Sequence, residues 1–198
     1  MSRADQMLAA RGPLHFLPDW DDLVDPGYNF VTDTPAGRGW EHERYAHELL
    51  GVPPCDGYLV SKVVEEKSKK RKARLRALGV HGSLRLPAEV PVIGDCGAFG
   101  YIDEKVPPYD TASILDYYTA GGFDLGVSID HLIPTPDFPD RDLRYRITLE
   151  NAQSFIAGHR DRGLDWEPVG AVQGWSPESY AEAAAKIARM GYRILALG

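Results

Sequence analysis

The sequence predicts an α/β protein: part of a (β/α)8 TIM-type barrel, about five βα units, behind an N-terminal extension. Three observations carry this expectation. After Pro54, short apolar runs alternate with longer amphipathic or polar segments, the rhythm of parallel βα units. No G-x-G-x-x-G follows any of the runs and no G-x-x-x-x-G-K-[ST] occurs, so the doubly wound alternative has no nucleotide-binding motif behind it. Polar residues close the runs at one end: Ser61 and Lys62, Asp95, Asp130 and Gln173. In a barrel those C-terminal strand ends converge on one mouth, where active sites are built.

Residues 1–56 are rich in Pro, Gly, Asp and aromatics and lack a continuous core pattern, so they read as an extension packed on the barrel, with one helix over EHERYAHELL. The barrel region is 57–198. Its predicted strands are GYLVSK (57–62), VPVIGD (90–95), FDLGVSID (123–130), PVGAVQG (168–174) and YRILALG (192–198). Between them KARLRAL, TASILDYYTA, LRYRITLENAQSFIAGHRD and SPESYAEAAAKIARMG carry helical apolar spacing. The last is the plainest, with Ser176 as cap, Pro177 in the first turn and Gly191 just past the end. A closed barrel needs eight strands and typically about 250 residues. Five runs before Gly198 predict a chain that carries only the first part of a barrel, its last strand an apolar edge.

At 198 residues and 43% hydrophobic, the chain can bury one sizeable core. Its net charge of −7 excludes a global attraction to nucleic acid or anionic membrane, so any such contact must be a local patch. Two cysteines, Cys55 and Cys96, make neither a disulfide framework nor a zinc cluster, and a reduced compartment suits them. MSRADQMLAARG lacks the apolar core of a signal peptide, and no run reaches the ~18–20 apolar residues of a membrane span. A soluble, cytoplasmic protein without a membrane partner is expected.

The candidate chemistry sits at the strand ends. In VPVIGDCGAFGYI an apolar run stops at Asp95 among Gly94, Gly97 and Gly100. Two readings stand open: an Asx turn with a core Phe, or a carboxylate in a pocket where Phe99 offers a flat face to a base. Cys96 reads as a small pocket-wall residue. Asp130 can accept two hydrogen bonds from an amidine-like edge such as that of guanine, whereas its neighbour His131 reads as a loop residue. Gln173, with Gly174 leaving room behind it, can both donate and accept, or can bridge backbone groups in the core. The run KSKKRKARLR (67–76) carries seven cations in ten positions. It is a solvated helix face or, with Lys62, Lys69, Lys70, Arg71 and Lys72, a phosphate-backbone contact near the mouth. No G-x-S-x-G, convincing Cys–His pair or metal-ligand pattern of histidines is present.

Taken in order, D-C-G-A-F (95–99), S-I-D (128–130), V-Q-G (172–174) and A-L-G (196–198) resemble the queuine/archaeosine transglycosylase superfamily. FLPDWDDLVDPGYNF, PPCDGYLVSK and GDCGAFGYI resemble its DNA branch, the DNA-guanine transglycosylases of 7-deazaguanine DNA-modification systems. The resemblance implies a (β/α)8 enzyme that exchanges guanine in DNA, or alternatively in tRNA, for a 7-deazaguanine base such as preQ0. It also points to companion proteins of a modification system. Residue by residue it implies that Asp95 contacts the base and assists proton transfer, with Cys96 and Gly97 beside it. Phe99 would stack on the base, and Asp130, Gln173 and Gly174 would read its edge. Gly100 stands where the family usually has Gln, and Cys96 where it commonly has Ser. The family's nucleophilic Asp and its zinc site would lie beyond Gly198, so no cofactor is expected on this chain. The expectation is a base-reading half-site that does not complete the exchange alone. A non-catalytic nucleic-acid-binding subunit, and an unrelated barrel enzyme acting on a small metabolite, are the competing classes.

Overall fold

The structure is a computed structural model that describes Asp5, Ala9 and residues 14–18, 23–37, 39–51 and 55–198. Its strands run, in chain order, β1 (Phe16–Pro18), β2 (Leu23–Val24), β3 (Arg44–Tyr45), β4 (Gly57–Ser61), β5 (Val92–Asp95), β6 (Leu125–Val127), β7 (Glu167–Val172) and β8 (Ile194–Leu197). Six of them form one curled, wholly parallel sheet in the order β1-β4-β5-β6-β7-β8, half of a barrel. β2 and β3 make a separate antiparallel pair. The five predicted barrel strands are present, all shorter than predicted, with β7 starting one residue earlier, at Glu167.

The sheet holds a sixth strand from inside the segment read as an extension: Phe16 pairs with Gly57 and Pro18 with Leu59. Three residues ending in proline are too short to show a period in the sequence. The helix expected over EHERYAHELL shortens to Ala46–Leu50, because Arg44 and Tyr45 pair with β2 instead. Tyr45 is buried there, its hydroxyl donating to Ser83 O at 3.1 Å, and the Glu48 carboxylate accepts from its N–H at 2.8 Å.

Alternation along each strand separates two apolar layers. Inward, toward the barrel axis, Ile93, Leu125, Val127, Val169 and Ala171 form one cluster, joined by Phe16, Leu59, Ile194 and Ala196. Outward, Tyr58, Val60, Val92 and Val172 pack under the helices. Gly94 and Gly126 are register partners on this outward face. A β-carbon on either would run into the ring of Tyr118, from helix Thr111–Gly121, so their bare backbones form its seat. Phe155 of helix Arg141–Asp161 and Trp166 meet that ring edge-on, at centroid distances of 6.2 and 5.5 Å.

The helix ends follow local chemistry. Asp110 and Ser176 accept N-terminal N–H groups, Pro177 opens Pro177–Met190, and Gly122 and Gly191 close their helices in the left-handed region. The cation run begins helix Lys69–Leu84, capped by Ser68 and broken at Gly79, whose φ of +67° favours glycine. Glu65 and Glu66 end a separate short helix, Lys62–Glu66. No helix of the described residues is long and apolar enough to cross a membrane.

Candidate active site

Inward-facing positions turn from apolar to polar at the C-terminal rim of the sheet. Ser61 and Asp95 end β4 and β5 as register partners. Asp130 lies three residues past the end of β6, and Gln173 directly follows β7. Two of these groups touch directly: Gln173 Nε2 donates to Asp130 Oδ2 at 2.6 Å, while Gln173 Oε1 accepts from the Ile133 N–H at 3.3 Å. The two bonds fix which end of the amide faces which way. Gly198 lies against the pair, and a β-carbon there would strike Gln173 Nε2.

The carboxylates are shaped by burial. Asp130 is 7% exposed, and burial together with the nearby charge of Asp95 pushes its carboxyl up to about 7, against the opposing hydrogen bond from Gln173. Burial also raises Asp95, opposed by the N–H groups of Gly97 and Cys96. The bond from Gly97 N to Asp95 Oδ2, 2.8 Å, is an Asx turn. The Asx turn of the first reading is present, but Phe99 is exposed rather than a core residue.

The other predicted residues take different places. Cys96 is fully buried in the outer layer, its Sγ 3.6 Å from Tyr118 Oη, where burial pushes the thiol well up. Gly97 has φ +81°, and the space a β-carbon would need there is held by Ser61 and Val63. Behind Gly174 the corresponding space is taken by Ser179 and Tyr180. Phe99 sits in the 3-10 turn Ala98–Tyr101 and stands 79% exposed.

The cation group divides. Lys69 and Lys70 are exposed on the first turn of helix Lys69–Leu84. Lys62 is drawn inward: its Nζ pairs with Glu66 at 2.7 Å and lies 4.5 Å from the centre of the Tyr117 ring. Lys72 approaches the same Glu66 at 3.6 Å, and Arg71 is half-buried. Among the described residues no cluster of three or more His, Cys, Asp or Glu is placed to hold a metal, so the zinc implied by the resemblance finds no ligand set here.

Several residues that shape the mouth carried no signal in the sequence. The loop after β6 is held by side chains at four consecutive positions. Tyr101 Oη donates to Asp130 O (3.0 Å), the His131 N–H to Thr148 Oγ1 (3.0 Å), Arg144 to Leu132 O (2.7 Å), and the Ile133 N–H to Gln173. His131 is buried within this loop, 6.3 Å from the Tyr101 ring centre. These contacts serve backbone groups, so neither composition nor periodicity announces them.

The strand ends of the half-barrel thus carry a carboxylate–amide pair and a second carboxylate, with an exposed aromatic ring on the turn after β5. The chain is 34% identical to a DNA-guanine transglycosylase of Salmonella montevideo over 204 aligned positions, which cover 93% of this chain and 48% of that protein. No family model matches it. Over the length it spans, the chain belongs to the transglycosylase superfamily, in the branch of that DNA-guanine enzyme. It spans about half the length of that curated relative.

Proposed function

We propose that this chain carries the base-recognition half of a DNA-guanine transglycosylase, an enzyme that exchanges guanine in DNA for a 7-deazaguanine base. The observation that carries the reading is the Asp130–Gln173 pair. With one amide hydrogen committed to Asp130 and the amide oxygen to the Ile133 N–H, Gln173 has one N–H left to donate, and Asp130 has a second carboxylate oxygen to accept. Side by side they match a ring edge that offers a carbonyl oxygen next to an N–H, as guanine O6 and N1–H do. Phe99 supplies a stacking face. Asp95, its carboxyl raised by burial, is the group to hold or move the proton of the base.

In the proposed exchange a carboxylate attacks the deoxyribose C1′ and the C1′–N9 bond breaks. Guanine leaves with a proton, and the incoming 7-deazaguanine gives up its N9 proton as it displaces the carboxylate. None of the roles argued here makes a residue of this chain that nucleophile. A duplex target presents its base only after extrusion from the stack. The relative's name favours DNA over tRNA.

The test is incorporation of a labelled 7-deazaguanine by the full-length protein, offered DNA and tRNA side by side. Label in DNA, lost in Asp130→Asn and Gln173→Ala, is expected. Label in tRNA alone would move the reading to the tRNA branch. Binding of DNA with no incorporation under any condition would favour a non-catalytic nucleic-acid-binding subunit.

A further inference from the structure

A stacking face on one loop and a hydrogen-bonding edge on another serve one ring only if their spacing is held. Phe99 belongs to the turn after β5, and Asp130 to the loop after β6. Neither loop continues the sheet, so strand pairing does not set the gap between them.

Arg144 lies beneath both. It rises from the first turn of helix Arg141–Asp161 and is 4% exposed. One guanidinium nitrogen donates to Leu132 O at 2.7 Å, in the Asp130 loop. The other donates to Ile102 O at 2.6 Å, just past the Phe99 turn. No carboxylate among the described residues pairs with it within ion-pair distance. The charges of Asp140 and Asp103 favour its charged form from beyond ion-pair distance, and a fork with two donors in fixed geometry is what two carbonyls on separate loops require. Tyr101 adds a second tie between the same loops, its hydroxyl donating to Asp130 O at 3.0 Å. Thr148, one helical turn beyond Arg144, holds the His131 N–H and itself donates to Arg144 O.

We propose that Arg144, with Tyr101 as its partner, is a positioning residue: it clamps the Phe99 turn to the Asp130 loop and so sets the spacing between the stacking face and the base-reading edge. The proposal rests on the base-binding reading of this mouth for its functional consequence, but not for the clamp itself. Lysine has one donor group on a flexible stem and reaches only one of the two carbonyls at a time.

Two measurements on the whole chain, applied to Arg144→Lys, separate the clamp from the function it serves. Amide hydrogen exchange reads the clamp. Protection is expected to fall about tenfold or more in 97–102 and in 130–133 together, while helix Arg141–Asp161 keeps its protection. Unchanged protection in both loops, or loss spread evenly over the molecule, overturns the clamp. Guanine binding by calorimetry reads the consequence. Affinity is expected to fall about tenfold, and less than additively when Phe99→Ala is combined with Arg144→Lys, because both changes act on one placed ring. Strictly additive losses, or undiminished binding, overturn the positioning role. If the parent chain binds no guanine, the base-binding reading fails, and the exchange result still decides whether Arg144 is a clamp.

Discussion

Asp130 is the residue where burial, charge and hydrogen bonding meet, and its protonation has consequences of known sign. Its folded-state carboxyl is raised from the usual 3.8 to about 7, so the folded protein binds this proton more tightly than the unfolded chain. The contribution to stability is therefore greatest below about pH 4 and is lost as pH rises through about 7. Asp130→Asn is expected to flatten that decline, being more stable than the parent at pH 8 by urea unfolding. Guanine binding should follow the opposite trend. The carboxylate form accepts the N–H of the base, so affinity is expected to rise from pH 6 to 8, and the asparagine variant should show no such rise in a binding titration. Phe99 offers a cleaner separation. It is 79% exposed, so Phe99→Ala should leave the unfolding midpoint nearly unchanged. The same change should cost base binding about 1–3 kcal/mol, the worth of a stacking contact.

At the scale of elements, each βα unit is set by local rules and then seated by close approach. Ser176 accepts from Ser179 N and caps Pro177–Met190, so Ser176→Ala is expected to lower stability by about 1 kcal/mol in chemical denaturation. Gly94 is a different case. Nothing in its own backbone requires glycine, yet Tyr118 occupies the place of its side chain. Gly94→Ala must push the Tyr118 ring off two strands at once, and overpacking of this kind costs about 1–3 kcal/mol. Because Tyr118 Oη also donates to Val127 O at 3.1 Å, the loss should sit at the upper end of that range. A thermal melt against the parent checks this; Gly163→Ala, with φ +60° and no atom within 4 Å, should lose stability through backbone strain alone.

The whole molecule sets the terms for nucleic acid. A net charge of −7 repels DNA at a distance, so contact depends on where the cations of 67–76 point. Lys69 and Lys70 face solvent, whereas Lys62 is spent on Glu66 and the Tyr117 ring. Replacing Lys69 and Lys70 with Gln is expected to reduce the salt slope of DNA binding by roughly one per lysine. Lys62→Gln should leave the slope in place and lower stability instead. An unchanged slope in the double variant would place the DNA path elsewhere on the molecule. The inner face of the half-barrel is a second whole-molecule feature. Phe16, Leu59, Ile93, Leu125, Val169 and Ile194 line an apolar groove of about 450 Å³, on the axis the mouth residues share.

The sequence by itself determined the βα rhythm, the five barrel strands, the caps of the last helix and the polar residues closing four of the runs, because these depend on periodicity and on chemistry within a few neighbours. It also carried the family, through short motifs in correct order. It did not show β1, three residues whose strand character exists only in pairing with β4. Nor did it show that Gly94 and Gly126 are one seat, or that the cations divide between solvent and an interior ion pair. The Arg144 tie between two loops was equally silent, since Ile102 and Leu132 stand 42 and 12 residues from it along the chain. Only the tertiary structure decided these, because each depends on burial or on close approach that folding imposes and that propensity and spacing alone do not fix.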